Sequence, residues 1–262
     1  DIENQENRYL NRSLWANLQS LKSTVSFMQT GAHPDDESSR LLAKLSLDEG
    51  YFVSYVNAVR GQGGQNSIGP ERDDNLGALR TYELLKAMSV LRVDIGWLAN
   101  SRNNSIVDFG LSKSAEETFE FWDKKYTIKR MIRMVRAYKP DIIIPTFLDV
   151  DGQHGHHRAV TRATIEAYDK SNDPEMFPDD DFDPWKISQI FLPAWSGGGG
   201  SYDDEEDPPK ATHSIDVGNF NHIYGGTYNQ IGEWSRSYHA TQNIGKLAYE
   251  DKMDVPLHLL KG

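Results

Sequence analysis

Two short stretches concentrate the side chains that could do chemistry. Residues 30–39 read Thr-Gly-Ala-His-Pro-Asp-Asp-Glu-Ser-Ser, so His33, Asp35, Asp36 and Glu37 crowd around a single proline. Further along, Asp149-Val150-Asp151-Gly152-Gln153 leads into His154-Gly155-His156-His157. Imidazole nitrogens and carboxylate oxygens suit Zn²⁺ and other divalent first-row metals, and a catalytic zinc commonly has three protein ligands and one position left for water. Two ligands from the first stretch and one from the second would make such a His-Asp-His site, with Pro34 fixing the turn that throws His33 and Asp36 to one side. Each stretch alone has a plainer reading. Asp-Asp-Glu at a helix start is usually capping and dipole compensation, and histidines near a helix start are often a solvated polar turn. Two ligand-rich clusters, each directly after a buried strand, are hard to explain as two independent caps.

The elements that would have to position them follow from hydrophobic periodicity. A polar segment, residues 1–24, carries Leu10, Leu14, Trp15, Leu18 and Leu21 at helical spacings, which predicts an N-terminal helical extension packed on the domain. Val25-Ser26-Phe27-Met28 reads as a strand, residues 37–49 as a helix and the β-branched, aromatic run 51–59 as a second strand. Residues 72–91 return to helical spacing and 93–99 to a strand. The capping pattern from Ser114 to Glu117 opens one long helix that Lys139-Pro140 stops. Residues 141–147, Asp-Ile-Ile-Ile-Pro-Thr-Phe, are apolar enough to be a central strand covered on both faces. A helix over 155–170, strands over 187–193 and 214–217, and a helix over 227–244, weakened by Gly232, complete the pattern. Residues 196–210, with four glycines, an acidic run and two prolines, predict a mobile surface loop.

Such alternation predicts an α/β chain with a mostly parallel, Rossmann-like sheet and helices on both faces, in three layers and one domain over 1–262. Ligands of such sheets sit beyond the carboxyl ends of the strands, near the point where strand order reverses. The loops 31–36, 60–71, 100–113 and 147–157 should therefore converge on one crevice.

Composition narrows the partners. A net charge of −11 and a pI near 5.2 oppose binding to nucleic acid or an anionic membrane, so a neutral or weakly polar ligand fits better. No run approaches the roughly 20 apolar residues of a membrane span. With no cysteine, disulfides, thiolate ligands and a cysteine nucleophile are excluded. Asp1 in place of Met is what a mature secreted chain or a trimmed piece would carry, and the sequence does not separate the two; the expectation leans to a secreted or periplasmic location over the cytoplasm. Gly61, Gly63 and Gly64 lack the Lys-Ser/Thr of a nucleotide loop.

Ala32-His33-Pro34-Asp35-Asp36-Glu37 followed by His154-Gly155-His156-His157 resembles the PIG-L or LmbE-like deacetylases. Weaker echoes in Leu76–Leu84, Val107–Leu111, Arg60–Gly64 and His239–Gln242 extend the resemblance from about residue 25 to 245, and the spacing is similar to long members in which further domains follow. The resemblance implies His33, Asp36 and His157 as zinc ligands, with another first-row metal as the alternative. It implies Asp35 as general base and His154 as the group that stabilises the oxyanion or protonates the leaving amine. A metal acidifies water and polarises a carbonyl, so one carboxylate must stay off it to take the proton. Arg80 and Asp108 match positions that bind sugar hydroxyls; the plainer readings are an exposed helix arginine and an aspartate capping a turn before Gly110. Glu37 is expected beside a ligating imidazole. The implied reaction is removal of the N-acetyl group from an N-acetylglucosamine-type sugar, free or in an oligosaccharide, with release of acetate. The alternatives are an amidase acting on another N-acyl or thiol-conjugate substrate and a non-catalytic sugar-binding module. The oligomeric state stays open. Two departures stand out: Gly152 where some relatives have tyrosine, and His156 where many have aspartate.

Overall fold

A computed structural model of the chain describes residues 14–101, 104–199, 202–245 and 253–262. Its centre is a seven-stranded sheet in the spatial order Asp94–Trp97 (β3), Phe52–Asn57 (β2), Ser26–Gly31 (β1), Ile142–Pro145 (β4), Gln189–Pro193 (β5), Asp254–Lys261 (β9) and His213–Asp216 (β8). Strands β1 (Ser26–Gly31), β2 (Phe52–Asn57), β3 (Asp94–Trp97), β4 (Ile142–Pro145) and β5 (Gln189–Pro193) are parallel neighbours, as expected from their alternation with helices. β1 pairs with both β2 and β4, and the chain runs outward from it in opposite directions. The switch point therefore lies between the carboxyl ends of β1 and β4.

Both faces of the sheet are covered because its strands bury both. On β1 Phe27 points to one core and Met28 to the other, and on β4 Ile144 and Ile143 do the same. Helices α2 (Ser39–Leu47), α3 (Asp73–Leu91) and α7 (Tyr228–Arg236) cover the Phe27 face, and α4 (Ala115–Trp122), α5 (Lys124–Tyr138) and α6 (Gly155–Lys170) the Met28 face. None of the described helices is long and apolar enough to cross a membrane.

Several elements differ from expectation. The single helix read over 114–138 is two. Ser114 caps the first as expected, accepting from Glu117 N at 3.1 Å, but Asp123 takes a φ of +61° and caps the second by accepting from Tyr126 N. Short acidic side chains tolerate this backbone and favour cap positions over helix interiors. The strand β9 (Asp254–Lys261) lies between β5 and β8 (His213–Asp216), antiparallel to both. Pro256 within it argues against an interior strand at the level of sequence. Of the N-terminal extension, residues 14–19 form helix α1, with Trp15 packed on the core while Leu14, Leu18 and Leu21 are exposed; Leu10 lies outside the described residues.

The segment expected as a mobile loop is anchored where it is described. Gly198–Gly199 (β6) pairs with Tyr202–Asp203 (β7), and the Asp204 carboxylate accepts from Gly197 N and Gln153 Nε2, both at 2.7 Å. These contacts bring Tyr202 beside the second histidine motif.

Gly232, which weakens α7 by propensity, is where α7 crosses α2. A Cβ there would meet Arg40 N at 2.6 Å and Arg40 Cα at 2.7 Å. Gly232→Ala should therefore part the two helices and lower Tm by roughly 2–10 °C, the range expected for overpacking a tight contact. An unchanged melting curve would mean that α7 has room to shift.

Candidate metal centre and active site

The loop after β1 folds around Asp36. Its Oδ2 accepts from Ala32 N at 2.9 Å and His33 N at 2.8 Å, which turns the chain back and faces His33 and Asp36 the same way. His157 comes from the first turn of α6 across the switch point. His33 Nδ1 lies 3.2 Å from His157 Nε2 and 3.6 Å from Asp36 Oδ2, and His157 Nε2 lies 3.3 Å from Asp36 Oδ2. Two ligands each about 2.0–2.1 Å from a tetrahedral ion stand roughly 3.3 Å apart. The His33-Asp36-His157 donor set fits a metal on that measure.

The neighbours leave the right atoms free. His157 Nδ1 donates to Gln153 Oε1 at 2.7 Å, which keeps the proton off Nε2, and its ring stacks on Phe147 with centroids 4.1 Å apart. Burial alone would raise the Asp36 carboxyl, but His157 and His33 override it and hold the group well below the usual carboxylate range. Burial likewise opposes charge on His33, yet its contact with Asp36 and the field of Asp108 raise it above the usual value. The pocket thus draws positive charge to the atoms that would ligate a cation.

Asp35 stays outside this set. It sits at a φ of +100°, costly for a residue with a Cβ, and three hydrogen bonds hold the turn there. Glu37 Oε2 accepts from Asp35 N at 3.1 Å, and Arg80 Nη2 donates to Asp35 Oδ1 and Pro34 O, each at 2.7 Å. Burial raises the Asp35 carboxyl above its ordinary value, and Arg80 offsets only part of that. Arg80 is therefore no exposed helix arginine: it is 4% exposed, and its guanidinium passes under the glycine loop, donating from Nη1 to Gly61 O at 3.1 Å. A Cβ at Gly61 (φ +73°) or Gly64 would come within 2.4 or 2.5 Å of Arg80 Nη1. Arg80 thus accounts for Gly61 and Gly64, while a Cβ at Gly63 would meet Asp108 Oδ1 at 2.7 Å and Gly110 N at 2.8 Å.

Glu37, expected beside a ligating imidazole, instead accepts from His239 Nε2 at 2.8 Å, and both side chains are completely buried. Burial opposes both charges, but each partner favours the ionised form of the other, so Glu37 is lowered and His239 raised. The pair ties the C-terminal helical turn to the backbone of Asp35.

His154 caps α6 at the rim of the crevice. Its Nε2 lies 3.2 Å from Gly110 O and its Nδ1 has no hydrogen-bond partner among the described residues. Burial first, then repulsion from His33 and His157, pushes it down to about 3, so it is neutral near pH 7. Burial and the charges of the neighbouring histidines also keep His156 neutral. Asp108 accepts from Gly110 N at 2.9 Å, as a turn cap would, and at the same time lines the crevice.

The crevice, about 350 Å³, gathers His33, Asp35, Asp36, Arg80, Asp108, His154 and His157 with residues 63–65, Gly110 and Leu111, so the four expected loops meet. Tyr202 and Gln242 close it. Local sequence signals do not reveal the part of Tyr202: its ring is 5.2 Å from that of His157 and 6.0 Å from that of His154. Burial and nearby carboxylates keep its phenol protonated and so a donor. Gln153 had a signal, standing one helical turn before His157 at i, i+4.

Fold and site define an α/β protein whose switch point carries a His/Asp set able to hold a metal beside an unligated carboxylate. The chain belongs to the PIG-L family, described as GlcNAc-PI de-N-acetylase, which matches residues 28–168. It is 30% identical over 177 residues to the 1D-myo-inositol 2-acetamido-2-deoxy-alpha-D-glucopyranoside deacetylase of Streptomyces scabiei, covering 61% of this chain and 53% of that protein. It is 27% identical over 171 residues to the mycothiol S-conjugate amidase of Streptomyces coelicolor, covering 59% of this chain and 55% of that one. The match thus spans little more than half the length of these relatives. In fold it is similar to N,N'-diacetylchitobiose deacetylase from Pyrococcus horikoshii, with a TM-score of 0.55 and 19% identity over 92% of this chain and 80% of that one. It is also similar to the 4-carboxy-2-hydroxymuconate hydratase from Pseudomonas putida, with a TM-score of 0.60 and 14% identity over 91% and 97%.

Proposed function

We propose that the chain is a zinc-dependent hydrolase that removes the acetyl group from an N-acetylglucosamine-type sugar. The observation that carries this reading is Asp35: a carboxylate held off the His33-Asp36-His157 set, raised by burial and clamped by Arg80. A module that only binds sugar has no use for it. Zinc held by His33, Asp36 and His157 would polarise the acetyl carbonyl and acidify a water. Asp35 takes a proton from the attacking water as the new C–O bond forms. Arg80 engages one Asp35 oxygen and leaves the other for that proton. When the C–N bond breaks, a proton passes to the departing nitrogen, giving a free amine and acetate. His154, neutral and at the crevice rim, is the side chain assigned to the developing negative charge through its ring N–H, with the Tyr202 hydroxyl as a further donor, and the proton that Asp35 took from water is the one returned to the departing amine.

Arg80 and Asp108 are the residues assigned to sugar hydroxyls. Next to the crevice, a groove of about 760 Å³ that shares Asp35, Asp36 and Tyr202 runs past Trp195, Asn229 and Arg236. It gives room for an aglycone or a second sugar, and equally for a bulkier acyl group, which is the amidase reading.

The test is acetate release from N-acetylglucosamine conjugates, chitin oligosaccharides and bulkier N-acyl analogues, using metal-stripped protein refilled with Zn²⁺. Zinc-dependent release supports the deacetylase. Release of only the larger acyl groups would replace it with the amidase, and zinc binding without any release would leave a binding module. In the same assay His154→Ala should lower kcat by about 10²–10³-fold, as loss of one oxyanion donor does, while zinc content stays unchanged. A variant with full kcat would take His154 out of the mechanism.

A further inference from the structure

The middle histidine of the second motif has no part in the chemistry above, yet it is the most enclosed of the three. His156 is 0% exposed, against 8% for His154 and 3% for His157. One face of its ring stacks on Trp122, with centroids 4.9 Å apart and planes at 28°, and Phe109 meets it edge-on at 4.4 Å. Its Nε2 has no hydrogen-bond partner among the described residues, and its Nδ1 lies 3.1 Å from His33 Nε2.

His33 turns its other nitrogen, Nδ1, to Asp36 and His157. A nitrogen that ligates a metal offers a lone pair, so a neutral His33 in that role must carry its proton on Nε2 and needs an acceptor for it. Asp108 is the nearby carboxylate, but its Oδ2 is 4.0 Å from His33 Nε2, beyond hydrogen-bond range. The atom within range is His156 Nδ1. For Nδ1 to accept, His156 must hold its own proton on Nε2, which is buried and has no hydrogen-bond partner among the described residues. The reverse arrangement, with Nδ1–H of His156 directed at His33, would move the proton of His33 onto Nδ1 and close the donor set to a metal.

Resting on the metal-centre reading above, we propose that His156 is a positioning residue: it accepts the Nε2–H of His33 and holds that ligand in the one tautomer able to bind metal through Nδ1. Trp122 and Phe109 hold the His156 ring in place, and the tautomer of His156 sets that of His33 through their shared contact. A neutral imidazole thereby does at this position what a carboxylate or carbonyl does beside most ligating histidines.

The experiment measures zinc affinity by competition with a chromophoric chelator, together with ¹⁵N NMR of the histidine rings in the metal-free protein at a pH where His33 is neutral. His156→Leu should weaken zinc binding by about 10–100-fold, the usual effect of losing an outer partner of a ligand, and should release His33 into a mixture of tautomers. His156→Asn, whose amide oxygen accepts the same N–H, should recover most of the affinity. Equal affinity in the Leu variant and the unaltered chain would overturn the proposal. So would two zinc ions bound per unaltered chain and one per Leu variant, because His33, His154 and His156 would then be ligating a second ion. If the Leu variant does not fold, the unaltered protein decides: a metal-free His33 protonated on Nδ1 defeats the proposal, and one protonated on Nε2 supports it. Acetate release stays a separate readout. Affinity that depends on His156 in a chain that hydrolyses nothing would keep the positioning role and remove the deacetylase reading.

Discussion

Asp35→Asn should lower kcat for acetate release by about 10²–10⁴-fold, the range that a positioned general base supplies, while the protein still binds one zinc per chain. Asparagine keeps the shape of the side chain, and its Oδ1 can accept the Arg80 hydrogen bond that Asp35 Oδ1 accepts at 2.7 Å. The backbone at φ +100° stays tied by Glu37, which accepts from residue 35 N. The amide cannot take a proton from water, so the loss should fall on kcat with KM and zinc content little changed. A kcat within tenfold of the unaltered chain would assign the base to another group. A loss of zinc together with activity would show that Asp35 supports the donor set rather than the proton transfer.

Asp36→Ala should abolish metal binding, and added zinc should not restore activity. Two effects combine. The donor set loses its carboxylate, leaving His33 and His157. The Ala32 and His33 N–H groups also lose the oxygen that accepts both, and each buried N–H left unpaired costs about 1–3 kcal/mol. His157→Ala is the informative partner, since it removes a ligand from α6 and leaves the loop's own hydrogen bonds intact. Both variants should lose zinc on dialysis against a chelator, and Asp36→Ala should also melt lower than the unaltered chain when both are metal-free. Stoichiometric zinc retained by Asp36→Ala would place the metal elsewhere, and matching metal-free melting curves would mean that the loop does not depend on Asp36.

Much of this architecture is legible along the chain because the signals are local. The five parallel strands appear as apolar or β-branched runs between amphipathic stretches, and that alternation implies a switch point with loops meeting above it. His33 and Asp36 are three residues apart on one turn, and His154 and His157 three apart at a helix start, so their residue types could be read as donor sets before any fold was known. Boundaries were less legible where one residue outweighed its surroundings. Asp123 breaks an otherwise continuous helical pattern with a positive φ and a cap, and Pro256 disguises a strand that β5 and β8 hold from both sides.

Residue order was thus enough for the α/β alternation, the two ligand-bearing motifs and the absence of thiol chemistry. Packing alone decided how the motifs are controlled. Arg80 clamps Asp35 from 45 positions away and His239 reaches Glu37 from 202. Asp204 ties to Gln153 across 51 positions, beside the hairpin that sets Tyr202 against the histidines. Contacts at such separations leave no periodic trace, because they depend on which loops the sheet order brings to one edge. The placing of a buried histidine belongs to the same class: the sequence names His156, but only Trp122, Phe109 and His33 packed around it set its Nδ1 against the His33 ring.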